Sequence, residues 1–168
     1  MKRKRNKKIY DALTTKQSDY IIKAGWFENS KYSNGSPIGG IAAVQNYGAV
    51  INQSHGDNSW TIIIPATHFW ENCREENKVK WRQKFKEAWT SIFLGNINPD
   101  KAMNQIAMMI EGDIAKAISA VDSPPLADST IKRRKSRMKN KKLTGSLDKR
   151  LIDTGEMFNA VSHKVTKK

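Results

Sequence analysis

The sequence has a single cysteine, Cys73, among its 168 residues. One thiol cannot form an internal disulfide, which excludes the class of small secreted domains that disulfides hold together. A chain of this length can bury a hydrophobic core without disulfides or metal ions. We therefore expect a protein that folds in a reducing cytoplasm.

Long apolar runs are also missing, and hydrophobic residues make up only 38% of the chain. No run approaches the length of about 20 residues that a membrane-spanning helix needs. The basic start is not followed by the apolar stretch of a secretory signal, so we expect neither a signal peptide nor contact with a membrane. The low apolar content indicates that part of the chain is solvated or bound to a partner.

The residues that most often bind metal ions are few and scattered. Of the three histidines, His55, His68 and His163, only His68 lies near the cysteine, and no second pair of ligands follows at the close spacing of a zinc site. The histidines are expected to be surface or hydrogen-bonded side chains. Glu111 and Asp113 point to different faces of a predicted helix, so we expect both carboxylates to be solvated. The sequence predicts no metal-binding residue.

Motifs of enzyme active sites are missing as well. The sequence has no glycine loop for phosphates, no nucleophile elbow and no dinucleotide fingerprint. Asp153 and Thr154 are neighbours without a histidine near in sequence, so we expect one of them to cap a helix rather than to act in catalysis. We predict a non-enzymatic protein with no catalytic and no cofactor-binding residues.

What the sequence does have is positive charge, a net +14 that is concentrated in two segments. Neither segment contains an acidic residue, and outside them the basic residues balance the acidic ones. The first segment, residues 1–8, contains Lys2, Arg3, Lys4, Arg5, Lys7 and Lys8. The second segment, residues 132–142, contains Lys132, Arg133, Arg134, Lys135, Arg137, Lys139, Lys141 and Lys142. We expect a neutral body that carries two cationic segments.

Two interpretations of the cationic segments stay open. They are either solvated charge runs or contacts to an anionic partner, which is DNA or an acidic protein surface. Both runs lack aromatic residues, so a DNA contact would be limited to the phosphates and independent of sequence. The candidates for residues that face DNA or an interface are Lys2, Arg3, Lys4, Arg5, Arg133, Arg134, Lys135 and Arg137.

Hydrophobic periodicity and turn residues predict the secondary structure. The predicted strands cover residues 19–27, 60–64 and 160–165. The predicted helices cover residues 39–47, 68–94, 99–121 with Asn98 as the cap, 127–136 and 153–158. Polar residues at 49–59 predict a loop with a turn, and an irregular cationic loop is predicted from residue 137 to residue 150.

These elements predict an α+β fold, in which a small and mostly antiparallel sheet packs with two long helices. Residues 1–18 are polar and basic and are expected to form an arm outside the fold. Residues 19–168 are expected to form a single domain, with a cationic loop at 132–150.

Four short segments occur in an order typical of one protein family. They are Ile41-Ala-Ala-Val-Gln-Asn-Tyr-Gly48, Ile64-Pro-Ala-Thr-His-Phe69, Pro125-Leu126 with Ser129-Thr130-Ile131, and Leu151-Ile-Asp-Thr-Gly-Glu-Met157. Together they resemble the tail-completion, or virion-morphogenesis, proteins of tailed bacteriophages. Thr67 and His68 stand where that family usually has Arg-Pro, and the basic arm at 1–8 lies outside the shared pattern.

The resemblance implies a structural role at the neck that joins the phage head to its tail. Such proteins form a closed ring, usually sixfold, between the head connector or adaptor protein and the tail terminator or tail tube protein. DNA passes through the ring, so non-specific DNA contact is implied too. The implied location is the virion neck, after assembly in the host bacterial cytoplasm. The alternative, favoured by charge alone, is an accessory protein that binds DNA phosphates without sequence specificity.

Several residues of the four segments are expected to shape the backbone. Gly48 and Gly155 permit close turns, Pro65 ends a strand, and Asp153 or Thr154 bonds the free N–H groups at a helix start. The residues expected to have such structural roles are Asn46, Gly48, Pro65, Phe69, Asp153, Thr154 and Gly155.

Overall fold

The computed structural model describes residues 20–140 and 146–168. The strands in these ranges are β1 (Tyr20–Gly25), β2 (Ala49–His55), β3 (Asn58–Ile64) and β4 (Ser162–Lys167). The helices are α1 (Ile38–Tyr47), α2 (Phe69–Phe93), α3 (Pro99–Ala120), α4 (Asp128–Asn140) and α5 (Glu156–Asn159). The predicted arm, with Lys2, Arg3, Lys4 and Arg5, lies outside the described residues, as do residues 141–145 of the predicted cationic loop.

The predicted α+β class is confirmed. The described strands form two antiparallel sheets of two strands each, β1 with β4 and β2 with β3. The two long helices predicted from the spacing of apolar residues are α2 and α3. The described chain divides into two compact units, which are taken one at a time below. The single domain over residues 19–168 stays a prediction.

The first unit comprises residues 20–25, 74–113 and 162–168. In it β1 pairs with β4 from Tyr20 opposite Lys167 to Gly25 opposite Ser162. Its core contains apolar side chains of both long helices, with side chains of the two strands packed against them: Trp89, Ile92, Ala102, Met103 and Ile106, then Tyr20, Ile22 and Val165. The first part of the apolar stripe predicted for α3, with Met103 and Ile106, therefore faces this core, together with Trp89 and Ile92 of the stripe predicted for α2.

Local sequence sets the helix ends in the first unit. Asn98 Oδ1 accepts the backbone N–H of Asp100 at 2.8 Å, so Asn98 caps α3 and Pro99 is its first residue, as predicted. Gly95 follows α2 with a φ of 72°. This is the left-handed conformation in which glycine commonly ends a helix.

Asp113 is an exception to the predicted solvated face, because its side chain is only 5% exposed. Lys80 Nζ donates to its two carboxylate oxygens at 2.5 and 2.6 Å, and Trp81 Nε1 donates at 2.8 Å. A buried carboxylate needs such partners, and both come from α2, which the spacing within α3 cannot reveal. Glu111 Oε2 lies 2.5 Å from His163 Nδ1, so this histidine is a hydrogen-bonded side chain, as predicted.

The second unit comprises residues 26–73 and 114–161. Its buried apolar side chains are Ile38, Ala42, Phe69, Cys73, Ile114, Ile118, Leu151, Met157 and Val161. Trp26 packs edge-on against Phe69 with ring centroids 6.1 Å apart, and its indole N–H donates to the carbonyl oxygen of Met157 at 2.8 Å. The predicted role of Phe69 in shaping this region is therefore a role in its core.

Two elements of the second unit differ from the prediction. Residues 49–55, predicted as a loop, form β2, which pairs with β3 from Ala49 opposite Ile64 to His55 opposite Asn58. Polar residues enter a strand when a partner strand supplies backbone hydrogen bonds, and the sequence of β2 alone does not show that partner. In addition, α4 continues through residue 140, whereas the sequence predicts an irregular loop from residue 137.

Candidate functional site

All four segments that carry the resemblance lie in the second unit, and residues from each of them line one groove. The cavity volume is about 880 Å³, which is within the usual size range of protein binding sites. Ile41, Pro65, Leu126 and Asp153, one from each segment, are among the lining residues. The segments are far apart in sequence, so the fold brings them together.

Asn46 joins the first segment to the second. Its side chain is buried, its Oδ1 accepts the N–H of Trp70 at 3.0 Å, and its Nδ2 donates to Glu71 at 2.8 Å. Its backbone carbonyl accepts the N–H of His68 at 3.0 Å. One residue of α1 thereby caps the start of α2. The hydrogen bond from Asn46 is also the main cause that lowers the pKa of Glu71.

His68 stands where the family that the four segments resemble usually has proline, and the backbone at His68 does not suit proline. Its φ is 51°, and its backbone N–H is bonded to Asn46. Proline holds φ near about −65° and has no N–H, so the proline of the family pattern does not fit this backbone. Thr67 Oγ1, at the position of the family's arginine, donates to the carbonyl oxygen of Gln45 at 2.9 Å.

The predicted backbone roles of the glycines and the proline agree with the geometry. Gly48 has a φ of 77°, and a Cβ there would lie 2.8 Å from the carbonyl oxygen of Ile64 and 3.0 Å from the nitrogen of Ala66. Only glycine suits both this conformation and this space. Pro65 follows the last residue of β3, and Gly155 precedes α5 with a φ of 81°.

Arg134 lies inside the fold, which contradicts its prediction as a residue that faces DNA or an interface. Its side chain is 4% exposed, and its guanidinium donates to the carbonyl oxygens of Ser146, Lys149 and Arg150 at 2.9, 2.7 and 3.2 Å. Burial lowers its pKa, and the nearby carboxylate of Asp153 opposes that effect. The helical turn directs this one side chain inward while its two neighbours in sequence are exposed.

Asp153 is shared by two arginines of α4. Arg137 Nη2 donates to both of its carboxylate oxygens at 2.8 Å, and Arg134 Nε lies 3.2 Å from it. The N-cap position of α5 is Gly155 and no side chain caps the helix, so the predicted cap by Asp153 or Thr154 is wrong; the hydroxyl of Thr154, one residue earlier, accepts the N–H of Glu156 at 3.4 Å. The contact of Arg137 with Asp153 also explains why α4 extends past its predicted end.

Arg150 is a residue of the site that sequence reasoning missed, because it stands in a predicted irregular loop. It donates to the carbonyl oxygens of Pro124 and Pro65 at 3.1 Å each, and burial lowers its pKa. The Nε–H groups of Arg137 and Arg150 are buried and have no hydrogen-bond partner among the described residues, and that of Arg134 has only the ion-pair contact with Asp153. The arginine cluster therefore has more donors than the described acceptors satisfy.

Apolar side chains, referred to below as the floor, and arginines, referred to below as the rim, line the groove. The apolar lining includes Ile41, Ile62, Ile63, Leu126 and Met157. The charged lining residues are Arg133, Arg134, Arg137, Arg150, Asp153 and Glu156. Glu156 is already engaged, since it accepts the backbone N–H of Ser33 at 2.7 Å. Arg133 is exposed and forms no ion pair with any residue that the structure describes, so the rim keeps unpaired positive charge.

The hairpin formed by β2 and β3 is exposed on both faces. Val50 and Ile63, 67% and 71% exposed, are opposite each other, and Ile51 and Ile62, 38% and 39% exposed, form the next pair. Successive pairs lie on opposite faces, so each face carries apolar side chains. An isolated two-stranded hairpin is only marginally stable in water, and exposed apolar surface commonly marks an interaction site. The hairpin is therefore a candidate interaction surface.

The predicted interface candidates of α4 thus have different environments. Arg133 and Lys135 are exposed, as is Lys132 beside them. Arg137 is partly buried and paired with Asp153. The exposed hairpin was not predicted as a site, although the β-branched run at residues 60–64 gave a signal for one of its strands.

The residues that the structure describes provide neither a metal site nor a membrane-spanning helix. In that part of the chain, no group of three or more His, Cys, Asp and Glu side chains lies in position to hold a metal ion. None of its helices combines the length and the apolar character needed to cross a membrane. No protein-family model, curated protein or solved structure matches this chain, so the resemblance rests on the four segments themselves.

Proposed function

We propose that this protein is a non-enzymatic structural component of a tailed-bacteriophage particle. It completes the tail in the neck and joins it to the head connector or adaptor, as part of a ring through which DNA passes. The four resembling segments support this proposal. In these segments, Asn46, Gly48 and Pro65 shape the backbone. Such roles suit a protein that acts through its binding surfaces and not through catalysis.

The observation that carries the proposal is the exposed β2–β3 hairpin. Val50 and Ile63 on one face and Ile51 and Ile62 on the other are exposed, and adjoining exposed apolar side chains commonly mark an interaction site. A projecting element of this kind gains stability by packing on another subunit. A ring needs a heterologous contact, in which one surface of each copy meets a different surface of the next, and a projecting hairpin supplies one of the two surfaces.

The proposed partners follow from the resemblance. A second copy of the chain is the neighbour within the ring, which is sixfold in similar proteins. The head connector or adaptor lies on one side, and the tail terminator or tail tube protein on the other. The proposed location is the virion neck, after assembly in the host cytoplasm.

The test replaces the most exposed apolar pair of the hairpin. The double variant Val50→Thr with Ile63→Thr keeps β-branched side chains in both strands and removes apolar surface from one face. We expect the monomer to stay folded by circular dichroism, whereas ring assembly in electron micrographs of the purified chain is lost. Val79→Thr is the matched control, because Val79 is 67% exposed on α2, away from the hairpin in sequence.

The result that contradicts the proposal is equally specific. If the wild-type chain forms no ring at any concentration, or if the double variant forms rings as readily as Val79→Thr, the hairpin is not a subunit contact. Particles that assemble without this chain between head and tail would contradict the role in the neck.

A second candidate is the nucleic-acid-binding accessory protein, which the exposed face of α4 favours. Lys132, Arg133 and Lys135 are exposed there without an ion pair among the described residues. Contacts to phosphates weaken steeply as salt increases. A monomeric chain with DNA affinity that falls with salt and does not depend on DNA sequence would support this candidate over the ring.

A further inference from the structure

We propose that the tip of the β2–β3 hairpin of one copy docks in the arginine-rimmed groove of the next copy. The inference rests on the proposed ring and names its subunit contact. It joins two surfaces of the second unit, the exposed hairpin and the groove that the four segments line.

The tip of the hairpin carries a negative charge and an aromatic side chain, which complement the arginines and the apolar residues of the groove. From Lys31 to Arg74 the intervening chain contains no lysine or arginine, although the protein has a net charge of +14. Asp57 lies in the two-residue turn at the tip, next to Gly56, whose φ of 57° permits the tight turn. Trp60, near the tip on β3, is 45% exposed. The tip therefore presents one carboxylate beside a large apolar side chain.

The groove offers the complementary surface. Its lining has four arginines against two acids, Asp153 and Glu156. Asp153 already pairs with Arg137, and Glu156 accepts the N–H of Ser33. Arg133 is exposed and forms no ion pair with the residues that the structure describes, which makes it the partner available for Asp57. The apolar floor receives the aromatic ring, and such rings are common anchors of interfaces.

The placement of the hairpin makes a second copy the occupant. The base of β3, Ile62–Ile64, lines the groove of its own subunit, whereas the tip residues do not. A strand of seven residues extends about 23 Å, so the tip can reach a neighbouring molecule. Each copy then has one projecting and one receiving surface, which is the heterologous arrangement that closes rings.

DNA suits the groove less well than a protein segment. A DNA backbone offers phosphates to Arg133 and to the other arginines, but it has no apolar group for a floor that contains Ile62, Ile63 and Met157. Protein interfaces combine an apolar centre with a charged rim, and the groove has both.

The experiment exchanges the two charges. Asp57→Arg and Arg133→Glu are each expected to raise the concentration of half-maximal ring assembly about tenfold or more, because each places like charges opposite one another. The double variant restores opposite charges and is expected to assemble close to the wild type. Glu76→Arg and Lys116→Glu are matched controls at exposed positions outside the groove and the hairpin, with no effect expected.

A second measurement covers variants that fold poorly. Asp57→Cys and Arg133→Cys chains are mixed under oxidising conditions, and disulfide-linked dimers are expected in the mixture and not with Lys116→Cys in place of Arg133→Cys. Rings that assemble unchanged in both charge variants, with no crosslink in the mixture, overturn the docking and leave the ring proposal standing. A wild-type chain that never assembles contradicts both proposals. Loss of DNA affinity in Arg133→Glu with unchanged rings assigns the groove to DNA instead.

Discussion

At the scale of single residues, buried polar side chains determine much of the second unit. Asn46 and Arg134 are 3% and 4% exposed. Each forms a hydrogen bond with the backbone of a part of the chain that is distant in sequence. Removing one partner of such a bond leaves the other buried without a hydrogen bond, which costs free energy. Sequence could not single out Arg134, because it stands within a basic run and its acceptors lie 12 or more residues away.

Arg134 and Arg133 give a matched pair for stability. Arg134→Gln is expected to lower the free energy of unfolding by about 3–5 kcal/mol, because Asp153 and several carbonyl oxygens lose a charged donor inside the fold. Arg133→Gln, at an exposed position, is expected to change it by less than about 0.5 kcal/mol. Urea denaturation measures both, and equal stabilities would show that Arg134 does not hold the segment before α5.

Glu71 gives a prediction about pH. The hydrogen bond from Asn46 lowers the pKa of Glu71 in the folded state, so ionised Glu71 stabilises the fold above its unfolded pKa of about 4.3. That contribution is lost as pH falls from there through the folded pKa. We expect the wild type to lose more unfolding free energy than Glu71→Gln between pH 6 and about pH 3. Parallel losses in urea titrations would show that the Asn46–Glu71 bond does not stabilise the protein.

At the scale of elements, the sequence predicts features that recur along one element and misses those that a partner element supplies. The apolar spacing of α2 and α3 and the Asn98 cap are local signals, and both helices lie close to their predicted bounds. β2 was missed because its polar residues become a strand only beside β3. The end of α4 was missed because the pairing of Arg137 with Asp153 is not local in sequence.

The apolar stripe of α3 supplies the prediction at this scale. Ile114 is 2% exposed and Met108 is 63% exposed on the same helix. Ile114→Asp is expected to lose more than about 4 kcal/mol of unfolding free energy and to abolish the cooperative thermal transition, because it buries an unpaired charge. Met108→Asp is expected to melt close to the wild type. A cooperative Ile114→Asp protein, as judged by calorimetry, would mean that this position is not in the core.

At the scale of the whole molecule, the proposed function depends on binding surfaces and not on a catalytic site. Four segments that are separate in sequence line one groove, and an exposed hairpin lies beside it in the chain. The residues of those segments were predictable as shapers of turns, since glycine and proline carry local signals. Their convergence and the exposure of the hairpin depend on contacts between distant parts of the chain, which a single sequence does not display.

The most direct test of the central claim is a cryo-electron microscopy reconstruction of the neck of a purified phage particle that carries this chain. The account predicts a closed ring of copies between head and tail, surrounding the DNA channel, in which the β2–β3 hairpin of each copy contacts the next. A neck that lacks this chain, or copies that lie in the ring without touching one another through the hairpin, would contradict the account.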